Sequence, residues 1–272
     1  MTPMLAAVRL VHPAPALAVT LLTAVLGAVL LQQAGQPPSW RLVLTVLAVA
    51  GSQLFTGATN DLADEARDRA SGRHEKPLPA GAMSRAGGWT VAAVGLGLQL
   101  VASIPLGPVP LLLGLVAVGS AAAYNAVLSR TPLSPLPYVV SFGLLPLWIA
   151  TGIGVDPARV LGAVPLGAVF AAAAHLANTL RDFDADAGGG SGSLAQLIGR
   201  RATRALAVGC LLAVGIGVGV ALVVRGAGVA SLSLGAAGLV VVAVGSLRER
   251  WLWYAILLAA VAWTAAWALA TG

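Results

Sequence analysis

The sequence predicts an all-α polytopic membrane protein, a bundle of nine transmembrane helices around a central cavity that faces the cytoplasm. Hydrophobic residues make up 58% of the 272 residues and charged residues only 10%, whereas a soluble domain carries about 25% charged residues. Apolar stretches long enough to cross the hydrocarbon core as helices recur along the whole chain. They are continuous Ala/Leu/Val/Gly runs without β-barrel alternation, which favours helices.

Nine apolar stretches define the predicted spans. They lie at about 14–34, 39–59, 86–105, 108–128, 136–154, 159–178, 203–224, 227–247 and 250–271. The first is too long for the apolar region of a signal peptide, so we expect it to be retained. We therefore predict a single transmembrane domain over residues 1–272, with a degenerate four-helix repeat (about 14–128 and 136–247) followed by a ninth helix.

The chain has a net charge of +6, and its basic residues are distributed as this predicted topology requires. All 16 Lys and Arg residues except Arg41, Arg159 and Arg225 fall on the side that holds the amino terminus. By the positive-inside rule this side is cytoplasmic, and nine spans place the carboxyl terminus on the opposite side. We expect an integral protein of the plasma membrane, in contact with lipid and without a nucleic-acid partner.

Acidic residues are concentrated in two clusters at predicted membrane edges. The first is "NDLADEARD", Asn60 to Asp68, and the second is "NTLRDFDAD", Asn178 to Asp186. Each cluster follows an even-numbered span. Acidic residues contribute little to membrane orientation, so this clustering needs another cause.

The spacing within the clusters predicts a metal site. Positions i, i+4 and i+8 share one helix face, so each cluster forms a row of oxygen ligands about 12 Å long. Two such rows facing a common cavity suit Mg²⁺, which prefers carboxylates together with phosphate oxygens and water. The rows consist of Asn60, Asp64 and Asp68, and of Asn178, Asp182 and Asp186. The alternative is a solvated helix end with local salt bridges to nearby arginines.

Cations surround both clusters on the same predicted side. They are Arg73, Lys76, Arg130, Arg181, Arg200, Arg201 and Arg204. The Gly- and Pro-containing segments 69–85 and 187–202 are predicted to be mobile loops that order over the cavity mouth when substrate binds. Carboxylate-bound Mg²⁺ together with Arg and Lys is the arrangement used for phosphoryl groups. An apolar bundle with such a mouth indicates a prenyl diphosphate.

These motifs resemble the UbiA superfamily of intramembrane prenyltransferases. The family pattern N-D-x-x-D-x-x-x-D is matched by Asn60, Asp61, Asp64 and Asp68, and its second motif, D-x-x-x-D, by Asp182 and Asp186. The segments "KPLPAG" and "YNAVLSRTPLSPLPY" are also similar to family segments. In the latter the family often has a Lys where this chain has Ser129, beside Arg130.

The spacing and the resemblance together define the candidate site. The predicted catalytic carboxylates are Asp64, Asp68, Asp182 and Asp186, and the resemblance adds Asp61 to the metal ligands of the two rows. The predicted substrate-binding residues are Arg73, Lys76, Tyr124, Arg130, Arg181 and His175. For His175 a packing role is the equal alternative. Arg9 and His12 are candidates for acceptor recognition.

Three functions remain open at this point. The resemblance implies Mg²⁺-dependent ionisation of a prenyl diphosphate to an allylic carbocation, followed by transfer to an acceptor, commonly an aromatic ring. The alternative is a terpene cyclase of the same superfamily, which closes farnesyl or geranylgeranyl diphosphate on itself with the same acidic rows. A transporter is the remote alternative, because transporters place their binding groups near the membrane midplane.

Overall fold

The computed structural model describes residues 2–188 and 190–270, and those residues form α-helices and connecting segments without a β-strand. The helices are α1 (Pro3–Leu10), α2 (Pro13–Gln33), α3 (Trp40–Ala70), α4 (Arg85–Ser103), α5 (Pro108–Ala126), α6 (Leu136–Ile153), α7 (Ala163–Arg181), α8 (Phe183–Gly188), α9 (Leu194–Val224), α10 (Val229–Gly245) and α11 (Glu249–Leu269).

The lengths of these helices confirm the all-helical membrane architecture. Within the described residues, eight helices are long and apolar enough to cross a membrane. The predicted eighth span is α10, an apolar helix of 17 residues, which corresponds to about 25 Å. The count of nine crossings and the cytoplasm-facing cavity stay predictions.

Two helices extend well beyond the apolar stretches that predicted them. α3 continues from the predicted end at residue 59 to Ala70, so the whole first acidic cluster is helical. α9 begins at Leu194 rather than at residue 203 and contains a kink at Gly199. The short helices α1 and α8 were not predicted, because neither is long enough to produce an apolar span.

The prediction that segment 187–202 is a loop is wrong for most of its length. Residues from Leu194 onward are helical, and only 190–193 of the described residues connect α8 to α9. The Ser193 side chain accepts a hydrogen bond from the Gln196 backbone N–H, which caps the new helix. The other segment does contain a loop, from residue 71 to residue 84.

The chain forms two compact units. The first comprises Met1–Val127 with Leu147–Ala158, and the second comprises Leu128–Pro146 with Arg159–Gly272. The division therefore falls within α6, at Pro146. Proline has no N–H for the helical hydrogen-bond ladder, so α6 lacks one backbone hydrogen bond at this point.

In the first unit, α3 packs against α2, α4 and α5. Small residues let α3 and α4 approach closely, as in many membrane helix pairs. A Cβ atom built at Gly95 would lie 2.6 Å from the Phe55 backbone nitrogen. A separate apolar cluster joins α1, α4 and the 71–84 loop to the acidic end of α3, and consists of Leu10, Ala58, Leu62, Leu78 and Ala92.

In the second unit, α7 packs against α9 and α11, and α10 packs against both of these helices. The core includes the buried side chains of Leu176, Leu211, Ile256 and Trp263. This packing covers one face of α7 up to the residues that precede the second acidic cluster.

Candidate functional site

The acidic end of α3 carries the first cluster on one unbroken helix. Asn60, Asp64 and Asp68 therefore share a face, as their spacing requires. Asp61 does not belong to that row, yet the structure joins it to Asp68. Lys76 Nζ donates to Asp61 Oδ1 at 2.9 Å and to Asp68 Oδ2 at 2.7 Å. Both carboxylates are buried, with 1% and 2% of their surface exposed.

The Asp61 carboxylate has two unequal oxygens. Oδ1 contacts His12 Nε2 at 3.0 Å in addition to Lys76. Oδ2 is buried and has no hydrogen-bond partner among the residues that the structure describes. A buried carboxylate oxygen without a partner is unfavourable, because it has lost water and gained nothing in exchange. Oδ2 therefore has an unused acceptor position.

Two cations from the 71–84 loop complete this arrangement. Burial alone would lower the pKa of the Lys76 ammonium, but its hydrogen bonds to Asp68 and Asp61 outweigh that effect and raise the pKa. The ammonium therefore stays charged at neutral pH. Arg73 contacts Asp68 at 3.5 Å and Glu75 at 3.4 Å. A cavity of about 460 Å³ opens here, lined by Arg9, His12, Asp61, Arg73, Glu75, Lys76 and Pro77.

Asn60 faces a residue that the sequence analysis missed. Its Nδ2 donates to Asn125 Oδ1 on α5 at 3.2 Å. Asn125 is buried, and its own Nδ2 donates to the Thr59 hydroxyl at 2.8 Å. The sequence did contain a signal for Asn125, because it is a polar residue beside Tyr124 at the end of an apolar span.

The remaining acids of α3 form local salt bridges. Asp64 lies 2.9 Å from Arg67 along the helix. Glu65 lies 2.7 Å from Arg69 and 2.5 Å from Arg85 at the start of α4. These pairs match the alternative interpretation of the cluster, so α3 carries both structural ion pairs and the buried Asp61–Lys76–Asp68 group.

The second cluster does not form the predicted continuous row. α7 ends at Arg181, Asp182 has φ −103° and ψ 11°, and Asp186 lies on α8. The expectation that Asn178, Asp182 and Asp186 share one helix face is therefore wrong. Asp is a weak residue in a helix interior, because its short side chain competes with the backbone hydrogen bonds.

Cations near the second cluster have acidic and aromatic partners. Arg200 lies 2.7 Å from Asp184 and 2.8 Å from Glu249. The Arg181 guanidinium lies 5.4 Å from the centre of the Trp253 ring, a cation–π contact. Asp182 and Asp184 are exposed. This end of the second unit is more open to solvent than the end of α3.

The other predicted substrate-binding residues are spread over both units. His175 is buried in the second unit, where its Nε2 lies 3.1 Å from the Ser134 hydroxyl and its ring 4.9 Å from that of Tyr138. Tyr124 lies on α5 in the first unit. Arg130 belongs to a short turn of the second unit, and a Cβ atom at Gly192 would lie 2.9 Å from its carbonyl oxygen.

The donor set fits a magnesium site of the kind that substrate phosphates complete. In residues 2–188 and 190–270, no three His, Cys, Asp or Glu side chains converge as a preformed metal centre. Mg²⁺ in phosphate sites typically takes one or two carboxylates, together with phosphate oxygens and water. Such a pair is present here, because Asp61 and Asp68 both contact the Lys76 ammonium. Asp61 also has an oxygen, Oδ2, without a hydrogen-bond partner in the described part of the chain.

The fold and this site define an integral membrane protein of bundled α-helices with paired carboxylates buried at one helix end. The chain belongs to the UbiA prenyltransferase family, whose model matches residues 20–271. The resemblance seen in the sequence motifs is thereby confirmed. No curated protein matches the chain.

Several solved structures share this fold. A UbiA homologue from Archaeoglobus fulgidus bound to GPP and Mg²⁺ has a TM-score of 0.74 and 16% identity, over 98% of this chain and 100% of that chain. The apo structure of a UbiA homologue from Aeropyrum pernix K1 has a TM-score of 0.70 and 19% identity, over 93% and 97%. A structure concerning digeranylgeranylglyceryl phosphate synthase in membranes has a TM-score of 0.73 and 14% identity, over 100% and 98%. At these identities the matches establish the fold.

Proposed function

We propose that this protein is a Mg²⁺-dependent intramembrane prenyltransferase that ionises a prenyl diphosphate and transfers the prenyl group to an acceptor, by resemblance an aromatic one. Family membership supports the reaction class. The Archaeoglobus homologue that binds GPP and Mg²⁺ supports the substrate class and the metal. The observation that carries the proposal is the buried Asp61 Oδ2 without a partner, beside Lys76 and Asp68.

Asp61 and Asp68 are the proposed metal ligands in the first unit, with Asn60 and Asp64 close by on α3. Bound there, Mg²⁺ would stabilise the negative charge that develops on the departing diphosphate. Asp182 and Asp186 of the second motif are proposed as further catalytic carboxylates, and Asn178 as a further ligand, on the strength of the family pattern. Their role rests on that pattern and is tested separately below.

The cations of the 71–84 loop have a defined task in this reaction. Lys76 and Arg73 already hold anionic oxygens, so they can donate to diphosphate oxygens with the same groups. Such charge-assisted hydrogen bonds gain strength as the allylic C–O bond breaks and charge accumulates on the leaving group. The apolar helices keep water from the allylic carbocation, which water would convert into an alcohol.

The test measures diphosphate release from geranyl, farnesyl and geranylgeranyl diphosphate in the presence of an aromatic acceptor, with Mg²⁺ and with EDTA. We expect release only with Mg²⁺, and a loss of about 100-fold or more in Asp61→Asn and Asp68→Asn, the order found when one charge-stabilising group is removed. Asp182→Ala tests the second motif by the same measure. The control is Asp156→Asn, because Asp156 accepts a hydrogen bond from the Ala158 backbone N–H in a loop and lies outside both acidic clusters.

The products separate the transferase from its alternative. A prenylated aromatic acceptor, formed only when the acceptor is added, supports the proposal. A cyclic hydrocarbon formed without an acceptor identifies a terpene cyclase instead. Near-normal turnover in Asp61→Asn at saturating Mg²⁺ contradicts the proposed metal ligand.

A further inference from the structure

His12 has an unusual backbone conformation. Its φ of 52° and ψ of 72° lie in the left-handed region, and it is the only non-glycine residue with a positive φ in the described part of the chain. Residues with a Cβ atom rarely adopt this conformation, and such strain persists only where surrounding contacts enforce it. A histidine thus occupies a position that a glycine would occupy with less strain.

The contacts that enforce the conformation come from α1 and α3. Leu10 is buried in the cluster that attaches α1 to α3. One residue further, the backbone of Val11 lies directly on Gly57, where a Cβ atom would be 2.7 Å from the Val11 Cα and carbonyl atoms. Asp61 is four residues after Gly57 and therefore lies on the same face of α3. The close approach at Gly57 brings the next residue, His12, to Asp61.

The imidazole then determines how the Asp61 carboxylate is held. A carboxylate only accepts hydrogen bonds, so His12 Nε2 is the donor in the 3.0 Å contact with Oδ1. Lys76 donates to the same oxygen. Oδ1 therefore accepts hydrogen bonds from two donors, one before α3 in the chain and one after it. Oδ2 is left as the oxygen without a partner among the described residues.

We infer that His12 is a positioning residue, which orients Asp61 so that Oδ2 is presented to a divalent cation. The inference rests on the proposed function, because it assigns His12 a role through the proposed metal ligand. Hydrogen-bonded partners of metal-binding carboxylates hold the ligand in its binding geometry, and their loss typically weakens metal affinity about 10- to 100-fold. The short segment between α1 and α2 is then part of the active site.

The first experiment separates positioning from a structural role. The full-length protein is titrated with Mn²⁺, which takes the same oxygen ligands as Mg²⁺, in the presence of inorganic diphosphate, and bound Mn²⁺ is measured by electron paramagnetic resonance. His12→Gly relieves the strained backbone, which offsets the loss of the hydrogen bond to Asp61, so thermal stability is expected to change little. Mn²⁺ affinity is nevertheless expected to fall about 10- to 100-fold.

Two further variants test whether the missing side-chain donor causes the loss of Mn²⁺ affinity. His12→Gln keeps a side-chain N–H donor and should restore most of the Mn²⁺ affinity that His12→Gly loses. His74→Ala is the control, because His74 is an exposed histidine of the 71–84 loop that also carries Lys76, and its affinity should equal that of the wild type.

A second pair of variants tests the same idea without altering His12. Gly57→Ala pushes the Val11 backbone away from α3 and should weaken Mn²⁺ binding. Gly97→Ala is its control, since Gly97 lies in a helix with nothing within 4 Å of an added Cβ atom. It should bind Mn²⁺ as the wild type does.

The outcomes distinguish the two proposals. If the wild type binds no Mn²⁺ with diphosphate and releases no diphosphate from prenyl substrates when an aromatic acceptor is present, the proposed function is wrong and this inference falls with it. If the wild type binds Mn²⁺ but His12→Gly binds it equally well, only the role of His12 is wrong. A parallel loss of stability and affinity without rescue by His12→Gln also overturns the inference, since it indicates a structural role.

Discussion

Lys76 Nζ lies within 2.9 Å of both Asp61 and Asp68, so one ammonium lies between two buried carboxylates. Like charges this close to each other repel in a site from which water is largely excluded. Lys76 offsets that repulsion, so its removal has consequences for stability as well as for binding.

Lys76→Met is expected to destabilise the protein in EDTA. Breaking a buried ion pair by removing one partner costs about 3–5 kcal/mol. His12 still contacts Asp61 and Arg73 still contacts Asp68 in the variant, so we expect the lower end of that range. Mg²⁺ should recover more stability in the variant than in the wild type, since it replaces the missing positive charge. Thermal unfolding in detergent, with and without Mg²⁺, measures both effects.

The control for that experiment is Arg225→Met, which removes an exposed cation. It should change the unfolding temperature little, and Mg²⁺ should affect it as it affects the wild type. An unchanged unfolding temperature for Lys76→Met in EDTA would show that the two carboxylates do not depend on this ammonium.

Among the helices, α9 is divided by a single glycine. Gly199 has φ 81° and ψ 159°, a region that essentially only glycine occupies. The buried Thr203 side chain holds the kink by donating to the Gly199 carbonyl at 2.9 Å. The kink separates the turn that begins at Leu194 from the long apolar part of α9, and Arg200 follows it directly.

Gly199→Ala and Gly209→Ala form a matched pair within α9. Neither added methyl group meets another atom within 4 Å, so the two variants differ only in backbone conformation. Gly199→Ala should destabilise the protein by about 1–3 kcal/mol, the cost of a strained φ/ψ. Gly209→Ala should stabilise it by about 0.5–1 kcal/mol, because alanine favours a helix interior. Equal unfolding temperatures for the two variants would contradict a conformational need for Gly199.

For the whole molecule, the membrane topology depends on α10. Its 17 residues lie at the lower limit of about 17–25 for a transmembrane helix. If α10 crosses, the bundle has nine spans and the two termini lie on opposite sides. Residues at the two ends of α10 then lie on opposite faces of the membrane.

Labelling of single cysteines with a membrane-impermeant maleimide tests this. The background is Cys210→Ser, which removes the only cysteine of the chain. Val229→Cys and Leu247→Cys place thiols at exposed positions beside the two ends of α10, and Thr2→Cys reports the amino-terminal side. We expect Leu247→Cys to react from the same side as Thr2→Cys, and Val229→Cys from the other side. Reaction of all three from one side would mean that α10 does not cross.

Much of the fold could be predicted because the relevant signals are local. Long runs of apolar residues predict helices that lie in the membrane. Each predicted span overlaps an observed helix. The helical period likewise placed Asn60, Asp64 and Asp68 on one face. The same reasoning failed at Asp182, because periodicity assumes a continuous helix and carries no signal for the break after Arg181.

The sequence by itself determined that the chain is a helical membrane protein, that two acidic clusters lie at helix ends, and that their motifs match one family. Only the tertiary structure decided that Asp61, outside the predicted row, shares Lys76 with Asp68 and contacts His12 across 49 residues of chain. It also decided that Asn125 faces Asn60 from another helix. Such pairs depend on how closely helices pack, as at Gly57. Packing sums many weak contacts between residues far apart in the chain, and helical periodicity reports only on neighbours three or four positions away.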